Sequence, residues 1–283
     1  MLDANSNPVR VNLHTHTARC NHATGSVDDY CREAVKAGIS ILGFSDHSPF
    51  PDGEYGASRM AFSDLPDYLR EIEEARVKYP QLTIFAGLEL DYRPVLGRQF
   101  YSELIERFQL DYVLGGVHHL PAAEGRPAQH VTAERPMTVA TLRAFVRQSI
   151  AFMELGLIEY LAHPDITALS LERWTPEVRA AYWDLLEAAA SLHVPLEINA
   201  YGLRKKPVET PEGTRPPYPW LPFWELAAEH GSIEAVAGSD AHRPEDVWGN
   251  LDDAIAIGTR FGFAMQNYNT ARRIIARRES RKK

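Results

Sequence analysis

Histidine and carboxylate residues follow the apolar segments of this chain in short clusters. In chain order the clusters are His14-Thr-His16, Asn21-His22, Asp46-His47, Leu88-Glu89, Val117-His118, Ala162-His163 and Asp240-Ala-His242. If each apolar segment is a strand of a parallel barrel, side chains at the carboxyl ends of the strands converge on one pocket. Imidazole and carboxylate groups are ligands of transition-metal ions. The sequence therefore predicts a metalloenzyme that binds a cluster of ions.

Two of these clusters are informative by themselves. His14 and His16 are two residues apart, which places both imidazoles on the same side of an extended chain. Glu89 ends the apolar segment 84–88, where a purely structural strand would continue with apolar residues. Its two carboxylate oxygens could each bind a different ion. A single buried histidine is more often an ordinary core residue, but coincidence poorly explains such residues at seven strand ends.

Four histidines fall outside this pattern, namely His119, His130, His193 and His230. The last two are predicted at helix ends, where an imidazole offsets the helix dipole. The pattern assigns no role to His119 or His130, and either could line a loop over the substrate.

Strand-like and helical segments alternate along the chain. The predicted strands are 8–14, 41–45, 84–89, 112–117, 160–163, 195–199 and 233–238. The predicted helices are 26–38, 63–79, 138–155, 175–192, 222–230 and 247–261. Seven strands joined by helices are expected to form a parallel sheet with right-handed crossovers. Ligands at nearly every strand end favour a closed barrel over an open sheet. The expected fold class is α/β, a TIM-like (β/α)7 barrel in a single domain.

Length and charge limit the classes of function. A chain of 283 residues, 45% of them hydrophobic, can form one α/β barrel, which takes about 250 residues. The net charge is −8, but the segment Arg272–Lys283 has seven basic residues and one acidic residue, so the remainder carries −14. An acidic body disfavours a nucleic-acid partner. The basic tail, 270–283, is expected to be a frayed and solvated C-terminal helix, with contact to nucleic acid or an anionic surface as the alternative.

Several features predict a soluble cytoplasmic protein. The N-terminal residues lack the basic and apolar regions of a signal peptide. No apolar segment approaches the roughly 20 residues that cross a bilayer. Cys20 and Cys31 are too few for a disulfide framework and are expected to be reduced.

The motifs together resemble the PHP (polymerase and histidinol phosphatase) superfamily. They are the histidine pair of 14–16, Ser45-Asp-His-Ser-Pro, Gly87-Leu-Glu-Leu-Asp-Tyr, Gly116-Val-His-His, Ala162-His-Pro-Asp and Gly238-Ser-Asp-Ala-His. Arg59-Met60 and the sequence Leu-Glu-Ile-Asn-Ala-Tyr-Gly-Leu-Arg-Lys of 196–205 resemble its histidinol-phosphatase branch. The resemblance runs from about 11 to 249. One departure is Gly115-Gly116, where the branch often has Gly-Ser.

The resemblance implies a distorted (β/α)7 barrel that forms one metal-dependent phosphoesterase domain over 1–283. It also implies a site for three divalent ions, for which zinc, manganese and iron all suit the ligands. The implied ligands are His14, His16, Glu89 and Asp240 for the first ion, Glu89, His118 and His163 for the second, and His22, His47 and His242 for the third. Glu89 would bridge the first two ions.

The expected reaction is hydrolysis of a phosphate monoester by metal-bound hydroxide, because bound ions lower the pKa of water to about 7. Glu89, Asp240 and His242 are the candidate catalytic residues, and Asp240, His242 or a bound water could protonate the leaving alkoxide. The resemblance implies a small phosphorylated substrate, L-histidinol phosphate. The alternatives are a phosphoesterase for nucleotide or sugar monophosphates, an exonuclease, and a non-catalytic metal-binding module, which the complete ligand set disfavours.

Substrate contacts are expected from two long loops, 48–61 and 201–222, because loops of this length usually cover a site. Arg204 and Lys205 lie on the second loop and Arg59 on the first. An arginine can bind phosphate through two parallel hydrogen bonds, although each of these residues could also be an ordinary loop charge. Glu54 and Asp91 could attract the protonated amine of the substrate or be solvated surface.

Overall fold

Parallel strands curl into a barrel in the computed structural model, which describes residues 9–122 and 128–281. The strands are β1 (Val11–Asn12), β2 (Ile41–Phe44), β3 (Thr83–Asp91), β4 (Tyr112–Gly116), β5 (His119–Leu120), β6 (Gln129–His130), β7 (Leu196–Asn199), β8 (Val208–Thr210), β9 (Gly213–Arg215) and β10 (Ala235–Gly238). Strands β1 to β4 pair in sequence order, and β7 pairs with β10, all in parallel. Bridges from Leu161 to Gly115 and Leu196, and from Thr15 to Ala241, connect the two groups. The predicted α/β barrel fold is confirmed.

The barrel is distorted at two predicted strands, where backbone N–H groups bond to side chains in place of a neighbouring strand. The predicted strand 8–14 is reduced to β1, and 160–163 is reduced to the bridge at Leu161. The side-chain oxygen of Asn12 accepts from the backbone N–H groups of His14 and Ser239, at 3.3 and 3.2 Å. The N–H of His163 donates to a side-chain carboxylate at 3.1 Å. Backbone groups bonded to side chains in this way are lost from the strand ladder.

Helices alternate with the strands and pack outside them. They are α1 (Val27–Lys36), α2 (Leu65–Lys78), α3 (Gly97–Arg107), α4 (Val139–Met153), α5 (Pro176–Leu192), α6 (Tyr201–Arg204), α7 (Leu221–His230), α8 (Leu251–Arg260) and α9 (Asn267–Arg281). Ser26 caps α1 in a capping box with Asp29, and Thr175 caps α5. His193 caps the end of α5 and His230 ends α7, which are the predicted helix-terminal positions.

The C-terminal helix α9 differs from its prediction as a frayed, solvated segment. Thr270, Ala271 and Ile274 are buried, because α9 packs against β1 and the amino end of the barrel. Arg277 forms an ion pair with Glu159 and donates to a backbone carbonyl. Arg277, Arg278 and Arg281 are therefore bonded to residues at the amino end of the barrel.

Two loops contain short hairpins. Strand β5 pairs with β6 inside the loop 120–132, where His119 faces His130, and β8 pairs with β9 inside 201–222. Residue 8 of the first predicted strand, residues 123–127 of the loop and residues 282–283 of the tail lie outside the described residues.

Two further observations concern the environment of the chain. Across the described ranges, none of the helices has the length and apolar character needed to cross a membrane. Cys20 and Cys31 are buried free thiols, and burial raises the pKa of each to about 12.

Candidate metal centre

The nine predicted metal ligands meet at the carboxyl end of the barrel, around the buried side chain of Glu89. They are His14, His16, His22, His47, Glu89, His118, His163, Asp240 and His242. Glu89 extends from β3, and its Oε2 atom lies 3.5 Å from His14 Nε2 and 3.4 Å from His16 Nε2. The same oxygen lies 3.0 Å from His47 Nδ1. One carboxylate thus contacts histidines from separate parts of the chain.

The first group consists of His14, His16 and Asp240. The Nε2 atoms of the two histidines are 3.1 Å apart, and both face Asp240 Oδ1, at 3.6 and 3.2 Å. Burial alone would raise the pKa of Asp240, but these histidines hold it well below its usual value. The carboxylate is therefore ionised, as a metal ligand must be.

The second group joins Glu89 to His118 and His163. Glu89 Oε1 lies 2.9 Å from His163 Nε2 and 3.5 Å from His118 Nε2, and the two histidine nitrogens are 3.2 Å apart. Glu89 contributes its other oxygen to this side of the cluster. It therefore lies between the first and second groups, in the position expected of a bridging ligand.

The third group consists of three histidines, His22, His47 and His242. The Nε2 atoms of His22 and His242 are 3.0 Å apart, and the rings of His22 and His47 stack at 5.2 Å. Burial lowers the pKa of all three, to about 3 for His242 and well below the usual value for His47. These imidazoles are neutral near pH 7, which is the form that binds metal ions.

The arrangement fits divalent transition-metal ions. Glu89 Oε2 is buried with no hydrogen-bond partner among the described residues, although three ring nitrogens lie within 3.5 Å of it. Close pairs of histidine nitrogens occur in all three groups. A cation between these atoms would accept the lone pairs of the ring nitrogens. It would also give Glu89 Oε2 a partner. The nine side chains include no thiolate, so imidazole and carboxylate define the site.

Two ligand positions have an unusual backbone conformation. His163 and Asp240 have φ values of +32° and +49°, in the left-handed region that non-glycine residues rarely adopt. Such strain persists where surrounding contacts determine the conformation, commonly at functional sites. Here it turns both side chains toward the cluster.

Glu197 supports the cluster and was not among the predicted site residues. It is fully buried on β7, and its Oε1 atom lies 2.7 Å from His14 Nδ1. Its Oε2 atom accepts from the His163 N–H at 3.1 Å and from Asn199 Nδ2 at 2.8 Å. Asn199 also donates to Asp240 at 3.1 Å. The signal in the sequence was a glutamate inside the apolar segment 195–199.

Asp91 and Arg59 are internal, which contradicts their prediction as substrate contacts. Arg59 is only 2% exposed and donates to Asp91 at 3.1 Å and to Ser48 O at 2.9 Å. Asp91 also accepts from the N–H of His118 at 3.1 Å and lies 3.0 Å from His119 Nδ1. Separation of this pair would leave an unpaired buried charge, so Arg59 and Asp91 hold the loop 48–61 against the strand that carries Glu89.

The other two predicted substrate contacts, Arg204 and Lys205, differ from each other. The Arg204 guanidinium donates to the backbone carbonyls of Ser239, at 2.6 Å, and of Gly249. It therefore connects α6 to the segment that carries Asp240, and in this conformation its amino groups are not free to grip a phosphate. Lys205 instead lies 4.0 Å above the Tyr201 ring, which stacks on His242 at 4.8 Å.

Comparisons with known proteins agree with this geometry. The PHP domain family matches residues 12–201. A protein described as "Probable histidinol-phosphatase" of Deinococcus radiodurans is 32% identical over 86% of this chain and 90% of its own length. Another of the same description, from Schizosaccharomyces pombe, is 24% identical over 84% and 82%.

The fold is also similar to a solved structure, histidinol phosphate phosphatase of Lactococcus lactis in complex with zinc, L-histidinol and phosphate. The TM-score is 0.72 at 17% identity, over 90% of this chain and 95% of that one. This similarity in fold covers more of the chain than the residues 12–201 of the family match. The chain therefore belongs to the PHP domain family.

Proposed function

We propose that this chain hydrolyses L-histidinol phosphate to L-histidinol and phosphate at a centre of three divalent metal ions. The observation that carries the proposal is the convergence of nine imidazole and carboxylate side chains in three groups around Glu89. We further propose that residues 1–283 form one catalytic domain. Buried reduced thiols at Cys20 and Cys31 support a cytoplasmic location.

The chain is a phosphatase. Its relative in Deinococcus radiodurans, a probable histidinol-phosphatase, is 32% identical to it over most of both chains. The leaving group is inferred from the relatives. Two of them are probable histidinol-phosphatases, and the Lactococcus lactis structure contains L-histidinol and phosphate. The same relatives indicate that the substrate is a small phosphorylated molecule.

The proposed ligand sets are those of the three groups, with Glu89 shared between the first two. Zinc, manganese and iron are all compatible with these ligands. When bound, such ions lower the pKa of water to about 7 and offset the negative charge of phosphoryl oxygens. The chain orients the ligands: Glu197 fixes the ring of His14, and Asn199 fixes the carboxylate of Asp240.

Asp240 and His242 are the proposed proton carriers. The two side chains are adjacent in the cluster, with 3.4 Å between Asp240 Oδ1 and His242 Nδ1. The attacking water gives a proton to the carrier, its oxygen forms a new bond to phosphorus as the P–O bond to the leaving group breaks, and the carrier returns the proton to the leaving alkoxide. Tyr201 stacks on the His242 ring and covers one of its faces from water.

Lys205 is the proposed phosphate contact, with Arg204 as the residue that positions it. The K205M variant is expected to raise KM about tenfold while kcat changes less, because a cation that binds substrate and transition state alike affects mainly KM. Steady-state kinetics with histidinol phosphate measures this. Lys206 is exposed and adjacent, so K206M is the matched control. Equal KM values for K205M and K206M contradict the role of Lys205.

A panel of substrates tests the proposed function. Phosphate release is measured from histidinol phosphate, a nucleoside monophosphate, a sugar phosphate and single-stranded DNA, with and without a chelator. Histidinol phosphate is expected to have the highest kcat/KM, and the chelator is expected to abolish the activity. A tenfold preference for the nucleotide, about 1.4 kcal/mol of transition-state discrimination, contradicts the proposal.

A further inference from the structure

A cavity of about 780 Å³ lies at the amino end of the barrel, between α2, the end of α3 and α9. We call it the arginine groove, and its charged lining residues are Arg70, Glu73, Arg76, Arg107, Asp111, Arg278 and Arg281. Asp111 directly precedes β4, whereas the metal ligands follow the carboxyl ends of the strands. The groove is thus separate from the catalytic centre.

The arginines of the groove outnumber its carboxylates. Five guanidinium groups line the groove with Glu73 and Asp111, and Asp67 and Glu74 pair with Arg70 beside it, which leaves a local excess of one positive charge in a chain of net charge −8. Arg76 and Arg278 share Asp111 as a partner. Within residues 9–122 and 128–281, Arg107 and Arg281 form no ion pair: Arg107 lies over the Phe108 ring, and Arg281 donates to Leu110 O.

One of the positive charges is also partly desolvated. The Arg76 side chain is 15% exposed. Burial lowers the pKa of Arg76, and repulsion from Arg278 lowers it further, against the attraction of Asp111. Arg76 and Arg278 have two carboxylates between them, Glu73 and Asp111, so with Arg107 and Arg281 unpaired among the described residues the groove is stabilised by an additional anion. The basic C-terminal segment, which the catalytic function leaves unexplained, supplies Arg278 and Arg281 to this place.

We propose that the arginine groove binds a phosphate-bearing anion of nucleotide size. The planar guanidinium fork matches phosphate oxygens in pairs, which a lysine does not do. The volume of the groove falls within the range of small-molecule sites, about 300–1,000 Å³. An excess of positive charge in an otherwise acidic protein attracts such an anion selectively to this surface.

The test is binding of a fluorescent ATP analogue to the metal-loaded enzyme at 0.15 M salt, with competition by ATP, pyrophosphate and adenosine. The double variant R107Q/R281Q removes the two unpaired cations of the groove. R147Q, at an exposed arginine of α4, is the matched control. E89Q serves as a variant of the metal centre. We expect R107Q/R281Q to raise Kd at least tenfold, and R147Q and E89Q to leave Kd within twofold.

Competition identifies the part of the ligand that is recognised. Competition by ATP and pyrophosphate, but not adenosine, supports a site for phosphate groups. The kcat/KM of R107Q/R281Q for histidinol phosphate, measured without nucleotide, is expected to remain at the wild-type value. Absence of binding at 1 mM analogue, unchanged Kd in R107Q/R281Q, or loss of binding only in E89Q each overturns the proposal. None of these results depends on the identity of the catalytic substrate.

Discussion

Replacement of Glu89 by glutamine, E89Q, is expected to lower kcat/KM for histidinol phosphate at least about 1,000-fold, or about 4 kcal/mol of transition-state stabilisation. Glu89 lies between two groups of ligands and contacts His47, His163 and the histidine pair of 14–16. An amide is nearly the same size but carries no charge, and its nitrogen has no lone pair for a metal ion. E89Q would therefore remove the proposed bridge while it preserves the shape of the site.

Metal content and folding distinguish this loss from a general defect. Elemental analysis is expected to find three ions per wild-type chain and at least one fewer in E89Q, with an unchanged circular dichroism spectrum. Glu103 is an exposed residue of α3, so E103Q controls for the loss of one charge. E89Q protein with near-normal turnover and a full set of ions would show that Glu89 does not bridge.

The position of the metal centre could be predicted because it depends on local sequence. A histidine or carboxylate that directly follows an apolar strand must lie at the carboxyl end of the barrel, whatever the details of packing. His118 and His163 were located in this way, although the strand before His163 is only a single bridge. The fold followed from the same alternation of strands and helices.

Contacts between distant parts of the chain could not be predicted from local pattern. Glu197 bonds His14 across 183 positions, and Arg59 bonds Asp91 across 32. The sequence shows that Arg59 is charged but not that its partner is a buried carboxylate, so it was interpreted as a loop cation. The burial of Ile274 in α9 likewise depends on β1, at the other end of the chain.

Glu197 connects the fold to the chemistry, and the E197Q variant is expected to weaken metal binding 10- to 100-fold. The carboxylate faces three donors, His14 Nδ1, the N–H of His163 and Asn199 Nδ2, and a carboxylate is an acceptor at both oxygens. Glutamine offers one acceptor and one donor group. At least one buried donor therefore loses its partner, and the ring of His14 loses its fixed orientation.

The measurement is activity as a function of free zinc in a chelator-buffered series. For E197Q the curve is expected to shift to higher zinc, with partial recovery of kcat at saturation, whereas an effect on chemistry alone lowers kcat without a shift. E187Q, at an exposed glutamate of α5, is the control. G238A tests the same contact independently, because a Cβ atom at Gly238 would overlap Glu197 Oε1. If both E197Q and G238A bind zinc like the wild type, Glu197 does not orient His14, and the cluster must be held by its ligands alone.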